Sequence, residues 1–146
     1  MKSSINRPNK TQYYLDIALA ISRRSTCLKR HYGAVIVTND EIVSTGYNGS
    51  PRGFANCCDT GNCARMHEKR NSNYEACKSV HAEQNALISA SRKESFGGIL
   101  YLACEYLKDG EWVEDTTMEV QPCPICQRML LNAGITKVVT RFNSKF

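Results

Sequence analysis

Apolar and polar residues follow one another along this chain in patterns that predict short helices and strands. After a polar leader, residues 10–25 carry apolar side chains at intervals of three and four, which is typical of an amphipathic helix on a sheet. Runs of β-branched residues at 34–37 and 42–45 predict two strands, and the polar residues 38–41 between them predict a hairpin turn. The chain is therefore expected to begin with a helix and an antiparallel strand pair.

The second half of the chain continues with helices and strands in alternation. Helical periodicity returns over residues 80–91 and stops at Gly97 and Gly98, and the apolar run 99–104 predicts a strand buried on both faces. A small hairpin, a short helix and a last strand follow, at residues 106–113, 126–132 and 135–140. This order of elements predicts an α/β sandwich in which helices cover a mixed sheet.

The segment 46–76 interrupts this pattern. It holds four of the nine glycines and three cysteines, and it shows no sustained apolar period. Ordered loops of this length usually have a functional reason. We therefore expect a functional loop, and a bound metal is one way to hold it.

Composition narrows the class of protein. At 146 residues the chain is predicted to form one domain, 1–146, with a single core. No segment approaches the roughly 20 apolar residues of a membrane span, and the N-terminus lacks a secretory signal, so we expect no membrane association and a cytoplasmic location. The net charge of +5 favours an anionic small molecule such as a phosphorylated nucleotide. Long Lys/Arg blocks are absent, so no nucleic-acid partner is expected.

Two short motifs carry the chemistry. His81 and Glu83 form H-x-E, and residues 122–126 form P-C-x-x-C around Cys123 and Cys126. This combination is the signature of zinc-dependent nucleobase deaminases. A catalytic zinc takes three nitrogen or sulfur ligands and keeps one position for water, and His81, Cys123 and Cys126 supply such a set.

The positions of these residues suit their predicted roles. Cys123 and Cys126 are three apart at a helix start, where both sulfurs can point at one metal and the helix N-terminus favours the thiolates. Glu83 is the predicted proton shuttle, which takes a proton from the attacking water and delivers protons to the ring nitrogen and the departing ammonia. The alternative is a zinc-stabilised binding module in which a fourth protein ligand closes the site.

Several segments closely resemble the deoxycytidylate (dCMP) deaminases of the cytidine deaminase-like superfamily, namely GYNGSP, HAEQNA, PCPIC and NAGI at residues 46–51, 81–86, 122–126 and 132–135. The resemblance covers about residues 15–141. It implies a three-layer α/β/α sandwich around a mixed five-stranded sheet, hydrolysis of dCMP to dUMP and ammonia, and a homo-oligomer, dimer or hexamer, with dCTP and dTTP as effectors. The GYNGSP segment favours this branch, while cytidine, cytosine and an RNA base are alternative substrates.

The same resemblance implies substrate contacts in the GYNGSP loop. Asn48 is expected to hydrogen-bond the deoxyribose or the ring edge, and Ser50 and Arg52 to contact the 5′-phosphate, since arginine binds phosphate bidentately. Asn48-Gly49 also fits a type I′ turn. A run of basic residues offers an alternative site for the phosphate or for an effector, although such a run equally fits a solvent-exposed surface. Its members are Arg23, Arg24, Lys29 and Arg30.

Two features depart from the simplest family pattern. An insert, residues 105–121, separates the strand 99–104 from PCPIC and is expected to reshape the rim of the pocket. The chain is also rich in cysteine. A subgroup of the family carries cysteines at four matching positions, and some members bind a second, structural zinc there, which implies the set Cys27, Cys57, Cys63 and Cys77. Such a site would hold the 46–76 loop in place, and Cys58 and His67 are alternative ligands for it. The other interpretation of these cysteines is that they are free reduced thiols without a metal.

Overall fold

The long strand β3 (Ile99–Lys108) forms the centre of the sheet. The computed structural model describes residues 6–68 and 74–143. β3 pairs antiparallel with β1 (Arg30–Thr38), and the register runs from Ile99 opposite Val37 to Tyr106 opposite Arg30. β1 in turn pairs antiparallel with β2 (Glu41–Tyr47). The predicted hairpin at the start of the chain is therefore present, with longer strands than the β-branched runs indicated.

Two short strands share the other edge of β3. The strand β4 (Glu111–Glu114) pairs antiparallel with residues 105–108, and β5 (Lys137–Val139) pairs parallel with residues 99–101. Asp109 and Gly110 connect β3 to β4 with φ angles of 51° and 81°, the left-handed conformation that a two-residue hairpin loop requires. The described residues thus form a mixed five-stranded sheet, as predicted.

Helices cover both faces of this sheet. One core lies under α1 (Lys10–Ser22) and contains Tyr14, Leu15, Ala18, Val35, Val37, Tyr101, Ala103 and Val139. The other lies under α3 (Ala82–Ser89) and α5 (Pro124–Asn132) and contains Ala34, Ile36, Ala82, Ala86, Leu100, Leu102, Cys104, Val120, Leu130 and Ile135. β1 and β3 send alternate residues into the two cores, which explains their continuous apolar runs. The prediction of a three-layer α/β/α sandwich is confirmed.

Some predicted boundaries are wrong. The helix predicted over residues 80–91 is shorter, because α3 ends at Ser89, and a separate helical turn that the pattern did not predict, α4 (Arg92–Ser95), follows it. Ser91 caps this turn: its hydroxyl accepts the N–H of Glu94 at 3.0 Å, and the S-x-x-E spacing of residues 91–94 is a capping-box signal. Within the predicted 46–76 loop, residues 46–47 belong to β2. The later helices among the described residues are the short α2 (Cys57–Thr60) and a 3-10 turn (Tyr74–Ala76).

Gly46 allows α3 to lie directly on β2. A Cβ atom at this position would lie 2.4 Å from the carbonyl oxygen of Ala82 and 2.4 Å from the backbone nitrogen of Ala86. Such distances are far below van der Waals contact, so any larger residue displaces the helix. This glycine therefore sets the position of the helix whose start carries His81 and Glu83.

Three further expectations concern membrane spans, the single domain and the polar leader. Every helix within residues 6–68 and 74–143 is too short or too polar to cross a bilayer. The single domain predicted for 1–146 stays a prediction, because it includes residues outside those described. The same holds for the polar leader, of which residues 1–5 lie outside the described part.

Candidate active site

Three predicted metal ligands meet where two helices begin. His81 Nδ1 lies 3.6 Å from the sulfur of Cys123 and 3.4 Å from the sulfur of Cys126. All three ligand atoms lie within 4.8 Å of one another, and no other group of His, Cys, Asp or Glu in the described part of the chain has this spacing. One imidazole nitrogen and two sulfurs are a donor set that zinc accepts. The two motifs, more than 40 positions apart in sequence, therefore converge at one point in the fold.

The local sequence explains how each helix presents its ligands. Cys123 is the N-cap residue of α5, and its sulfur accepts the N–H of Cys126 at 3.4 Å, while Pro124 occupies the first turn of the helix. His81 is the N-cap residue of α3, and its N–H donates to Oε1 of Gln84 at 2.9 Å. Because each cap fixes the backbone at a ligand, the two helix starts orient the three donor atoms.

The GYNGSP loop is attached to the start of α3. Gly49 and Val80 exchange two backbone hydrogen bonds, of 3.1 and 2.7 Å. Nδ2 of Asn85 donates to the carbonyl oxygen of Tyr47 at 2.7 Å. These contacts explain why the loop and the HAEQNA segment form one side of the same site, and they give Asn85 a structural role that the motif alone did not reveal.

Glu83 is a buried carboxyl group beside the metal-ligand set. It lies in the first turn of α3, is 4% exposed, and is hydrogen-bonded to the thiol of Cys126. Burial raises the pKa of Glu83 to about 7, although hydrogen bonds from its own backbone and from Cys126 oppose this rise. A carboxyl group that titrates near neutral pH both accepts and donates protons readily.

Burial also shifts the titration of two of the ligands. It lowers the pKa of His81, and the positive charge of Arg65 lowers it further, so the imidazole is neutral and has a lone pair for a metal. Burial raises the pKa of the Cys126 thiol, and the negative charge of Glu83 acts in the same direction. A cation at this position would relieve the cost of ionising the thiol, as metal binding to cysteine generally does.

A cavity of about 290 Å³ opens over these groups. His81, Glu83 and Cys123 line it, together with Asn48 from the GYNGSP loop. Its wall also contains three basic residues, Lys29, Arg30 and Arg65. Arg65 was not identified from the sequence, because it lies in a loop without periodicity.

Asn48 is buried, and the backbone of β1 holds its side chain. Oδ1 accepts the N–H of Tyr32 at 2.8 Å, and Nδ2 donates to the carbonyl oxygen of Arg30 at 3.0 Å. One amide N–H and one lone pair remain for a ligand in the cavity. The alternative interpretation of Asn48-Gly49 as a type I′ turn is wrong, because neither residue has a positive φ.

Ser50 and Arg52 lie outside the lining of this cavity. Ser50 is half-buried, and its backbone N–H donates to Oγ1 of Thr26 at 3.4 Å, while Arg52 is exposed. Of the alternative basic run, Lys29 and Arg30 line the cavity, whereas the exposed residues Arg23 and Arg24 do not. The assignment of Ser50 and Arg52 to a phosphate stays a prediction.

The cysteines predicted to bind a second zinc lie near one another. Cys27, Cys63 and Cys77 line the same cavity. Burial raises the pKa of Cys57, and the neighbouring thiols of these three cysteines and of Cys58 add to the shift. In the described part of the chain, however, they form no group within the 4.8 Å spacing that the His81 set shows. All eight cysteines are free thiols, which excludes a disulfide framework.

Backbone N–H groups already point at two of these sulfurs. The N–H of Lys29 donates to the sulfur of Cys27 at 3.4 Å, and the N–H of Ser79 donates to the sulfur of Cys77 at 3.4 Å. In both cases the donor lies two residues after the cysteine. A metal-bound cysteine carries negative charge on its sulfur, so N–H donors at these positions suit such a ligand.

The insert contributes to the wall of the cavity, as the sequence led us to expect. Tyr106 and Gln121 from this segment line the cavity next to the metal-ligand set. Asp115, near the middle of the insert, pairs with Arg30 of β1. The insert therefore reaches the site itself and does not lie only at its rim.

Comparison with known proteins agrees with this site. Residues 8–142 match the family described as "Cytidine and deoxycytidylate deaminase zinc-binding region". The deoxycytidylate deaminase of Saccharomyces cerevisiae is 35% identical over 91% of this chain, although the chain spans only 38% of the length of that protein. The deoxycytidylate deaminase of Mycobacterium phage D29 is 32% identical over 92% of this chain and 96% of its own length.

A solved structure shares the fold. The dCMP deaminase of the cyanophage S-TIM5, determined in complex with dCMP and dUMP, superposes with a TM-score of 0.61 at 28% identity, over 93% of this chain and 83% of that chain. The sheet, the two helix starts and the cavity described above are consistent with this likeness. On the match over residues 8–142, this chain belongs to the family of cytidine and deoxycytidylate deaminases with a zinc-binding region.

Proposed function

We propose that this protein is a zinc-dependent hydrolase that converts dCMP and water to dUMP and ammonia. The observation that carries the proposal is the convergence of His81, Cys123 and Cys126 beside the buried carboxyl group of Glu83, in one cavity. The names of the relatives, and the dCMP and dUMP bound to the cyanophage enzyme, support dCMP as the substrate.

The three ligands would hold one zinc ion. A bound zinc would supply Lewis acidity and lower the pKa of a coordinated water to about 7. No fourth His, Cys, Asp or Glu joins the set within the described residues. This argues against a closed structural site and for a position that stays accessible to water.

Glu83 would move the protons of the reaction. Its carboxylate accepts a proton from water as the water oxygen bonds to C4 of the cytosine ring, and the same group delivers that proton to N3. The proton of the new hydroxyl group on C4 then passes through Glu83 to the amino group, the C4–N bond breaks, and ammonia leaves as the C4 carbonyl of uracil forms. The burial of Glu83 keeps bulk water away from these transfers.

Substrate contacts are proposed at two places. Asn48 lines the cavity and retains hydrogen-bonding capacity, which suits a contact with the sugar or the ring edge. For the 5′-phosphate, the sequence assigns Ser50 and Arg52, whereas the basic residues that line the cavity are Lys29, Arg30 and Arg65.

A second, structural zinc is proposed at Cys27, Cys57, Cys63 and Cys77. The proposal is supported by the proximity of the four thiols and by the N–H groups that point at Cys27 and Cys77. Elemental analysis of the purified protein is expected to give two equivalents of zinc per chain. One equivalent would overturn the second site and leave the catalytic one.

Other expectations rest on the length of the chain, on its N-terminal sequence or on the family resemblance. They are a single domain over residues 1–146, a homo-oligomer, regulation by dCTP and dTTP, and a cytoplasmic location. The first three become testable with the purified chain, by limited proteolysis, by light scattering and by activity assays with each triphosphate.

A substrate panel tests the proposed activity. Zinc-loaded protein is incubated with dCMP, CMP, deoxycytidine, cytidine, cytosine and dAMP, and deamination is followed by ultraviolet absorbance and by ammonia release. We expect dCMP to be the best substrate. If cytidine or cytosine is deaminated and dCMP is not, the proposed substrate is wrong and the proposed deamination reaction stands. If no compound is deaminated, the result favours the alternative of a zinc-stabilised binding module without activity.

A further inference from the structure

Arg30 presents a fixed positive charge to the cavity. It is the first residue of β1, its side chain is 21% exposed, and it lines the cavity next to Asn48. Its guanidinium group lies 5.6 Å from the centre of the Tyr32 ring and 5.4 Å from that of Tyr106. Contacts with two aromatic rings favour a cation here and restrict the movement of the side chain.

Asp115 holds this guanidinium group from the insert. The Asp115 side chain is 6% exposed, and its Oδ2 pairs with Nη2 of Arg30. Its Oδ1 accepts the N–H and the hydroxyl of Thr117 at 2.9 and 2.7 Å, and its own N–H donates to the carbonyl oxygen of Cys104 at 2.9 Å. Burial tends to raise the pKa of Asp115, but the hydrogen bonds from Thr117 and Arg30 outweigh this and lower the pKa. The carboxylate is therefore ionised and fixed in place.

The guanidinium group still has donors for a ligand. Nε donates to the hydroxyl of Tyr32 at 3.1 Å, Nη2 donates to Asp115, and the thiol of Cys104 is a third neighbour within hydrogen-bonding reach. An arginine has five N–H groups, so these contacts leave about two. Arginine characteristically offers such a pair to the oxygens of a phosphate.

The charge of the cavity also favours an anion. Lys29 and Arg65 line it together with Arg30, and Glu83 is the one acidic residue among the lining residues that the structure describes. Lys and Arg residues in this wall therefore outnumber acidic residues by three to one. Nζ of Lys29 donates to the carbonyl oxygen of Arg65 at 2.7 Å, which holds the Lys29 side chain against the backbone of this wall.

We propose that Arg30 is the residue that binds the 5′-phosphate of the substrate, and that Asp115 of the insert is a positioning residue that fixes Arg30 for this contact. The inference rests on the proposed function, because it takes the substrate to be a nucleoside monophosphate. It assigns a role to the insert and it competes directly with the assignment of the phosphate to Arg52, which is exposed and lies outside the cavity lining.

Equilibrium binding of the product tests Arg30 without any turnover. Calorimetry measures the affinity of the zinc-loaded protein for dUMP and for deoxyuridine, which differ only in the phosphate. Arg30→Gln is expected to weaken dUMP binding about 10- to 100-fold, the usual effect of losing a charge-assisted hydrogen bond, and to change deoxyuridine binding less than about twofold. Lys93→Gln, which removes an exposed charge from α4, is the matched control and is expected to change neither.

The outcomes separate the two arginines. Equal weakening of dUMP and deoxyuridine by Arg30→Gln would overturn the inference, and so would unchanged binding of both. If Arg52→Gln selectively weakens dUMP binding and Arg30→Gln does not, the 5′-phosphate is instead bound by Arg52. Failure of the wild-type protein to deaminate dCMP would instead defeat the proposed function and leave the binding result standing.

Kinetics test the positioning role of Asp115. Asp115→Asn preserves the size of the side chain, so it is compared with Asp115→Ala after both are checked for thermal stability and zinc content. We expect KM for dCMP to rise about 10-fold with kcat within about twofold, and kcat/KM for deoxycytidine to stay unchanged. A purely structural role would lower kcat for both substrates together with the melting temperature, and that result in both variants would overturn the assignment.

Discussion

The imidazole ring of His31 stacks on the indole ring of Trp112, with ring centroids 3.6 Å apart and ring planes 15° apart. His31 follows Arg30 on β1, and successive side chains of a strand point to opposite faces of the sheet. Trp112 therefore attaches the insert to one face of β1, while Asp115 attaches it to the other through Arg30. The insert therefore contacts side chains on both faces of β1, the strand that carries Arg30 into the wall of the cavity.

Loss of the stacked ring should weaken the insert. Trp112→Ala is expected to lower the free energy of unfolding by about 2 kcal/mol, because it removes aromatic stacking as well as buried apolar area. Chemical denaturation measures this change, and Trp112→Phe is the control that should retain most of the stability. Equal stability of the alanine variant and the wild type would mean that the stacking contributes nothing.

Trp112 is the only tryptophan of the chain, so its fluorescence reports on the insert alone. A shift of the emission maximum on addition of dUMP is expected if the nucleotide contacts the wall that the insert supports. The control is deoxyuridine, which lacks the phosphate and should give a smaller shift. An identical response to both ligands would contradict an effect of the phosphate on this segment.

Glu83→Gln should abolish turnover without removing the metal. The amide keeps the size of the carboxyl group but cannot shuttle protons, so the rate is expected to fall at least about 10²- to 10⁴-fold. Ammonia release measures the rate, and elemental analysis measures zinc, which should stay at the wild-type level. Near-normal turnover would remove Glu83 from the mechanism.

Replacement of a metal ligand, unlike Glu83→Gln, should lower the zinc content. Cys123→Ala is expected to lose one equivalent of zinc, because two of the three protein ligands cannot hold the metal as tightly. Cys104→Ala is the matched control, since Cys104 is buried outside the metal-ligand set and its loss should leave the zinc content unchanged. Full zinc content in the Cys123 variant would show that the ion binds elsewhere.

Gly46→Ala should damage the site through the backbone. The added methyl group would lie 2.4 Å from backbone atoms of Ala82 and Ala86, so α3 must move away from β2. We expect a loss of about 1–3 kcal/mol of stability and weaker zinc binding, because His81 moves with the helix. Gly110→Ala is the comparison: it strains the turn between β3 and β4 but should leave zinc affinity unchanged. Unaltered zinc affinity in the Gly46 variant would contradict the close approach.

The sequence predicted those features that depend on local pattern. The apolar runs at 34–37 and 99–104 identified the two central strands, because every second residue there enters one of the two cores. The spacing of Cys123 and Cys126 placed both at the start of a helix, and the helix begins two residues earlier than predicted because proline suits its first turn.

Contacts between distant parts of the chain were beyond sequence reasoning. Arg30 and Asp115 are 85 positions apart, and no pattern in either segment indicates that they pair. Arg65 enters the cavity from a loop whose path depends on contacts such as that between its carbonyl oxygen and Lys29. Ser50 and Arg52 lie in a segment with a strong resemblance, yet the direction of the chain after Gly49 takes them away from the cavity lining.

The divided edge of β3 keeps the metal-ligand set and the insert on separate strand pairings. At this edge, residues 99–101 pair with β5, the strand that follows α5 and its two predicted metal ligands, whereas residues 105–108 pair with β4, the hairpin strand of the insert. Because the two pairings share no residue, the hairpin is able to change in length or sequence while the metal centre keeps its geometry. Under the proposed function, this edge would allow the range of accepted nucleotides to diverge in evolution while the metal-ligand set stays unchanged.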